Sequence, residues 1–302
     1  MTGVAPVVVF AYNRADHIYR LLLSLSENYL AEISKVFVYI DGPKREGDVA
    51  AVNNVFDVVN NFSEKFGEFN VYKSDHNRGL AKSIISGVGD IVNKYGRVIV
   101  LEDDLVLSKE FLVFMNKCLV EYENDERVMH ISGYSYPVNN DVADDVFFLR
   151  VPMCWGWATW RRAWQKFKKD ENIFLSKHER NYIDFDGMHN YSKQLDLNIS
   201  GKINTWFIYW YISCVRNSGL SVFPNKTLVR NGGFDASGTH GVSVDLYNSE
   251  FMTKAPVQIN RNVLETEKII FAHKKYFYNI SGVKSKIINA FKLFWSCRRE
   301  YF

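Results

Sequence analysis

The sequence is short of most features that place a chain at once. Its four cysteines, Cys118, Cys154, Cys214 and Cys297, lie far apart with no Cys-x-x-Cys pair. That spacing excludes a disulfide framework or a zinc site and fits reduced thiols. Six prolines and 18 glycines are too few for a collagen-like or low-complexity chain. Charge of one sign is also scarce: 37 Lys and Arg against 34 Asp and Glu give +3, too even for a general nucleic-acid binder. No run approaches the ~18 uninterrupted apolar residues of a membrane span. Met1 to Pro6 carry no basic segment before a short apolar run, so no signal peptide is expected and the expected location is cytoplasmic. Neither a Gly-x-Gly-x-x-Gly after the first apolar run nor a Walker Gly-Lys-Ser/Thr is present, which argues against a dinucleotide oxidoreductase and a P-loop enzyme.

What the chain does have is aromatic residues, 15% of 302, including seven Trp. Six of those Trp fall between Trp155 and Trp210. The first 105 residues alternate strand and helix patterns. A continuous apolar run at 7–12 predicts a strand buried on both faces, and 35–40, 69–72 and 97–101 predict three further strands. Helical spacing over 16–28, 49–59 and 80–94 separates them. This alternation predicts a parallel sheet with right-handed crossovers and ligands bound beyond the strands' carboxyl ends. Polar residues gather at all four of those ends: Asn13-Arg14, Asp41-Gly42, Asn77-Arg78-Gly79 and Glu102-Asp103-Asp104. We therefore expect one compact body in three parts: a nucleotide-binding half over 1–125, an irregular aromatic-rich half over 126–260, and a basic helical segment over 261–302.

Glu102-Asp103-Asp104 is the sharpest chemical signal. Mg²⁺ and Mn²⁺ take oxygen ligands, usually one or two carboxylates completed by substrate phosphates. Acids where a buried strand opens into a crevice meet that need, whereas three adjacent acids without a counter-charge repel one another. The competing reading is that they merely precede the helix at Phe111, for which Ser108 can serve as cap.

These motifs, taken in order, resemble a GT-A-fold nucleotide-sugar glycosyltransferase of the bacterial family 2-like kind, similar to the N-acetylglucosaminyltransferase I group. The resemblance rests on Val9 to Arg14, Tyr39 to Lys44, Asn77 to Ala81 and Val100 to Leu105, then Cys154 to Trp160, Asn204-Thr205-Trp206, Asn231 to Phe234 and Gly238-Thr239-His240. It implies a Rossmann-like, mostly parallel sheet flanked by helices. It also implies a metal-dependent, inverting transfer from a nucleoside diphosphate sugar, a UDP-sugar favoured, with Mn²⁺ or Mg²⁺ as cofactor. The implied acceptor is a hydroxyl of a surface polysaccharide or lipid-linked glycan; nucleic acid is no partner.

Roles follow position by position. Asn13 and Arg14 are expected beside the nucleotide, and Asp41 as acceptor from the base edge. Asn77, Arg78 and Gly79 are expected to border ribose and diphosphate. Asp104 is the expected metal ligand, with Glu102 and Asp103 on ribose or sugar hydroxyls. Arg78 and Lys82 are cations that offset diphosphate charge. Trp157, Trp160 and Trp164 have the i, i+3, i+7 spacing of a helix face packed on a core. Trp155, ahead of Gly156, could either stack on a sugar or simply pack. His240, in a Gly-rich polar loop, is expected near the metal or diphosphate; the other six His are read as structural.

The general base is the gap in the pattern. The resemblance places an Asp after the Trp aligned with Trp206, and this chain has Phe207 there. Asp235, then Asp196, are the remaining carboxylates. Two rivals follow: a catalytically inactive nucleotide-sugar binder, kept alive by Phe207, and a nucleotidyltransferase, although Asn13 to Asp16 lacks that class's Gly- and Arg-rich loop. Residues 283–302 carry five basic residues against Glu300 alone, around Ile287, Ile288, Phe291, Phe294 and Trp295. Such a segment suits a peripheral position on an anionic membrane surface or a terminal helix docked on the body.

Overall fold

The computed structural model describes residues 3–138, 146–170, 172–232 and 259–280. The first half is built as the periodicity predicts. Strands β1 (Val7–Ala11), β2 (Lys35–Ile40), β3 (Glu68–Lys73) and β4 (Arg97–Glu102) alternate with helices α1 (Ala15–Ser26), α2 (Val49–Asn60) and α3 (Leu80–Tyr95). β1 is buried along its whole length, which is why its sequence reads as a continuous apolar run. α1 buries Ile18, Leu21, Leu22 and Leu25, the i, i+3, i+4, i+7 stripe of a helix lying on a sheet. α3 ends at Gly96, whose φ of 83° suits a residue without Cβ.

The second half adds β5 (Leu105–Leu107), α4 (Phe111–Glu121), β6 (Val128–Ser132), β7 (Val146–Leu149), β8 (Trp157–Trp160), α5 (Arg161–Trp164), α6 (Lys177–Ile183), α7 (Tyr191–Ile199), α8 (Phe207–Arg216), β9 (Leu220–Pro224), β10 (Val229–Asn231) and α9 (Glu267–Ile280). One eight-stranded sheet runs in the order β3-β2-β1-β4-β8-β6-β9-β7, and a two-stranded sheet pairs β10 with β5. Pairing is parallel from β3 through β4, antiparallel on both sides of β8, parallel between β6 and β9, and antiparallel at β7. The chain is thus an α/β protein with a mostly parallel sheet flanked by helices. The sheet crosses residue 125 without a break, because β8 inserts beside β4.

Two local expectations are corrected. Trp157 and Trp160 stand on a strand, and only Trp164 is helical. The reason is tertiary: Trp157 pairs with Val100 and Ser132, and Trp160 with Arg97. An odd separation on a strand puts the two indoles on opposite faces. Trp157 stacks on Trp206 at 5.1 Å and on His130 at 5.2 Å, while Trp160 donates its indole N–H to the Leu119 carbonyl of α4 at 3.0 Å. Both remain core residues. Ser108 likewise is not the cap of α4. Glu110 holds that position without a side-chain cap bond, while the Ser108 hydroxyl accepts the Glu110 amide at 3.4 Å.

Arg161 and Arg162, adjacent in sequence, tie down two different helix ends. Arg161 donates to the carbonyls of Val92 and Asn93 at the end of α3. Arg162 donates to those of Tyr122, Glu123 and Val128 at 2.8–2.9 Å and lies over the Trp160 ring at 4.5 Å. A cation on terminal carbonyls satisfies orphan acceptors and opposes the helix dipole. Arg162→Ala should therefore cost about 3 kcal/mol of stability, measured by urea unfolding; a cost under about 0.5 kcal/mol would show the carbonyls are satisfied without it.

The segment after 258 is held by the body at several points. Tyr122 donates to the Asn260 carbonyl at 2.6 Å. Arg150 and Glu265 form a buried ion pair at 2.6 Å, with the guanidinium also over the Tyr182 ring at 3.7 Å. His273 and Phe277 of α9 are buried among aromatic rings.

Candidate active site

The four parallel strands bring their carboxyl ends to one edge of the sheet. Their register aligns Glu102, Phe10, Tyr39 and Tyr72 as one row across β4, β1, β2 and β3. Phe10 stacks on Tyr39 at 5.5 Å and Tyr39 on Tyr72 at 5.0 Å. The loops just beyond that row carry Asn13, Arg14, Asp41, Asn77, Arg78, Gly79, Asp103 and Asp104.

Those loops are tied to one another by side chains. Arg14 places a single nitrogen, Nη2, 3.0 Å from Asp103 Oδ1 and 3.4 Å from Asp104 Oδ2. Asp41 Oδ1 accepts the backbone N–H of Arg78 at 2.8 Å and of Gly42 at 3.0 Å, and its Oδ2 accepts Gly79 N–H at 2.9 Å. Asn77 Nδ2 donates to the Gly42 carbonyl at 2.9 Å. Gly42 itself lies so close to the His76 backbone that a Cβ would fall 2.5 Å from its carbonyl carbon, hence glycine. The Tyr12 hydroxyl donates to Asp48 at 2.9 Å and accepts the Lys44 N–H at 3.0 Å. Asn13 is half-buried beside Arg14, and Lys82 is exposed on the first turn of α3.

The electrostatics of the acidic end are unbalanced. Burial, then the charges of Asp104 and Asp103, push the Glu102 carboxyl up to about 8, with only Arg14 pulling it down. Burial pushes Asp103 up to about 6, opposed by Arg14 and by the Tyr12 backbone amide. Among the described residues one guanidinium thus faces three carboxylates, a deficit of positive charge. The donor atoms are hard oxygens, the kind Mg²⁺ or Mn²⁺ takes. Among the described residues no group of three His, Cys, Asp or Glu gathers to hold a metal ion. Such a cation needs only one or two protein carboxylates when water and phosphate oxygens complete its shell.

The turn at 154–156 faces this end of the sheet. Burial first, then Glu102 and afterwards Asp104, push the Cys154 thiol well above its ordinary value, so Cys154 lies within the field of the acids. Trp155, half-buried, meets the Tyr134 ring at 4.6 Å. Gly156, at φ 60°, packs against Phe111 and Val229 and accepts the Gly133 N–H at 2.6 Å. From the other side the small sheet delivers Gly232, whose N–H donates to the Asp104 carbonyl at 2.6 Å.

Not every expected residue joins this constellation. Asp196 lies on α7 in a two-point pair with Arg180 at 2.7 and 3.1 Å, and its side chain is 53% exposed. Phe207 opens α8 as a buried residue packed on Tyr191, Tyr211 and Trp206. Asp235, His240 and the basic segment 283–302 lie outside the described residues. Sequence reasoning passed over Cys154, Tyr12 and Asp48 as site residues. Tyr12 sits inside a motif already singled out, but its partner Asp48 is 36 positions away, so no spacing could reveal the pair.

No family model and no curated protein matches the chain. Solved structures similar to it include S. aureus TarS, at 14% identity over 74% of this chain and 36% of that one, TM-score 0.41. A mannosyltransferase, PcManGT from Pyrobaculum calidifontis, solved with GDP-Man and Mn²⁺, is 13% identical over 71% of this chain and 69% of that one, TM-score 0.41. A cytidylyltransferase from Leptospira borgpetersenii is 14% identical over 60% and 69%, TM-score 0.34. The chain spans about a third of the length of TarS.

Proposed function

We propose that this protein is a glycosyltransferase that moves a sugar from a nucleoside diphosphate donor, a UDP-sugar favoured, to a glycan hydroxyl with inversion. The observation that carries the reading is the edge itself. There Arg14 sits between Asp103 and Asp104, and Asp41 holds the 77–79 loop. This reading gives the nucleotide to Asn13, Arg14 and Asp41, and the ribose and diphosphate to Asn77, Arg78, Gly79 and Lys82. It gives donor hydroxyls to Glu102 and Asp103, a sugar face to Trp155, and the diphosphate flank to His240. Asp104 would hold Mn²⁺ or Mg²⁺, whose chemistry there is to neutralise the charge growing on the departing diphosphate. The acceptor hydroxyl needs a carboxylate base as it attacks. We assign that role to Asp235 ahead of Asp196, because the Asp196 carboxylate, on α7 away from the strand ends, is already engaged by Arg180.

The proposed acceptor is a hydroxyl of a bacterial surface polysaccharide or lipid-linked glycan, reached from the cytoplasmic side with residues 283–302 against an anionic membrane. Among the described residues no helix is long and apolar enough to cross a membrane. The burial of Phe207 where the pattern places a base favours one second reading, an inactive binder of nucleotide sugars. Incubation with UDP- and GDP-sugars and Mn²⁺ separates the possibilities. A transferase releases nucleoside diphosphate. An inactive binder gives a thermal shift without release. A nucleotidyltransferase releases pyrophosphate from a nucleoside triphosphate and a sugar phosphate.

A further inference from the structure

Asp41 presents an anion to a place that should attract one. α3 opens with Gly79 as its N-cap, with no side-chain cap bond from its own sequence. A helix start carries unpaired N–H groups and a partial positive charge. Just ahead of the first turn, a carboxylate one residue past β2 accepts the N–H groups of Arg78 and Gly79 at 2.8 and 2.9 Å. The two lone pairs of Oδ1 are taken by Gly42 and Arg78, and one of the two on Oδ2 by Gly79.

We infer that Asp41 is a positioning residue. From just past β2 it holds the N-cap residue of α3 and the residue before it, fixes the 77–79 loop before any ligand arrives, and leaves a single acceptor lone pair for the donor. This rests on the donor-site reading above and narrows it. A carboxylate beside the start of α3 repels phosphate oxygens, so this corner selects a ligand group that donates a hydrogen bond, a base N–H or a ribose O–H. The diphosphate falls instead to the cationic side chains of Arg78 and Lys82. Asn77, through Gly42, and the close packing of Gly42 on His76 make the clasp two-sided.

The test is amide hydrogen exchange on the ligand-free protein, read together with the affinity for UDP and GDP and the donor KM, in Asp41→Asn and Asp41→Ala. The near-isosteric Asn keeps one oxygen but sets an NH₂ against an N–H. Exchange at Arg78 and Gly79 should rise ten-fold or more in both variants. Nucleotide affinity should fall about ten-fold, with the loss in turnover greater in KM than in kcat. Asn77→Ala should speed exchange at the same two amides by a smaller factor. Unchanged exchange with lowered affinity would overturn the proposal in favour of a direct contact only. Faster exchange with unchanged UDP and GDP affinity would uphold the clasp and overturn only the donor-site reading on which it rests. Far-UV circular dichroism and thermal midpoints identify a variant that has lost its fold, in which case Asn77→Ala decides, and unchanged exchange there rejects the clasp.

Discussion

Asp104→Asn should lower nucleotide release from a nucleotide sugar by at least about 10³-fold, the scale of a lost charge-stabilising group at a reacting centre. The carboxylate is the expected metal ligand and stands beside Arg14 at 3.4 Å. The variant keeps the shape of the side chain and leaves the backbone carbonyl that receives Gly232. Arg14 retains Asp103 at 3.0 Å, so stability should change by less than about 1 kcal/mol. Activity and folding are therefore read independently, by product release and by urea unfolding. Asp235→Asn completes the comparison: transfer should be abolished while UDP binding survives, and near-normal turnover would remove Asp235 from the mechanism.

The second large effect concerns stability and acid. His130 is fully buried and held neutral from both sides. Its Nδ1 accepts the Trp210 indole N–H at 3.1 Å, and its Nε2 lies 2.9 Å from the Met153 carbonyl, to which it donates. Trp157 covers its face. A proton on Nδ1 would meet an N–H, and burial pushes the ring down to about 3. The unfolded chain takes that proton below about 6.5 while the folded one refuses it. The stability tied to the neutral ring is therefore whole above 6.5 and lost as pH falls towards 3, at about 1.4 kcal/mol per pH unit. Burial depresses His189 and His273 to about 4, and these act in the same sense. Glu102 and Asp103, raised to about 8 and 6, act in the opposite sense, because the fold holds their protons more firmly than the unfolded chain.

A variant isolates the histidine from those groups. His130→Gln keeps a donor for Met153 but strands the Trp210 N–H, costing about 2 kcal/mol at pH 7.5. Between pH 6.5 and 4.5 the wild type should lose roughly 2.7 kcal/mol that the variant does not, so their stabilities converge and cross. Curves that stay parallel, followed by tryptophan fluorescence in urea at each pH, would show that His130 does not titrate on unfolding.

Much of the first half was legible because its inner strands, β1 and β4 above all, are buried on both faces. Val7 to Ala11 and Arg97 to Leu101 advertise themselves as apolar runs, and the polar residues after them mark the site edge. β8 was not legible. Its Trp spacing satisfies a helix, and only pairing with Val100 and Ser132 from distant segments makes it a strand. The type of residue at the edge could be read, but not its use. Asp41 is an obvious ligand-facing acid in sequence, yet half of its acceptor capacity goes to amides 37 and 38 positions away. Arg14 finds Asp103 across 89 positions, a contact that no local pattern encodes.

The central claim is that this edge binds a divalent cation together with a nucleoside diphosphate. Crystals grown with Mn²⁺ and UDP, measured for anomalous scattering at the manganese edge, test it most directly. The account predicts a manganese peak at bonding distance from the Asp104 carboxylate, shared with the diphosphate oxygens, and UDP lying along the loops of Arg14, Asp41 and Asn77. A manganese peak elsewhere, or UDP bound away from these loops, would contradict it.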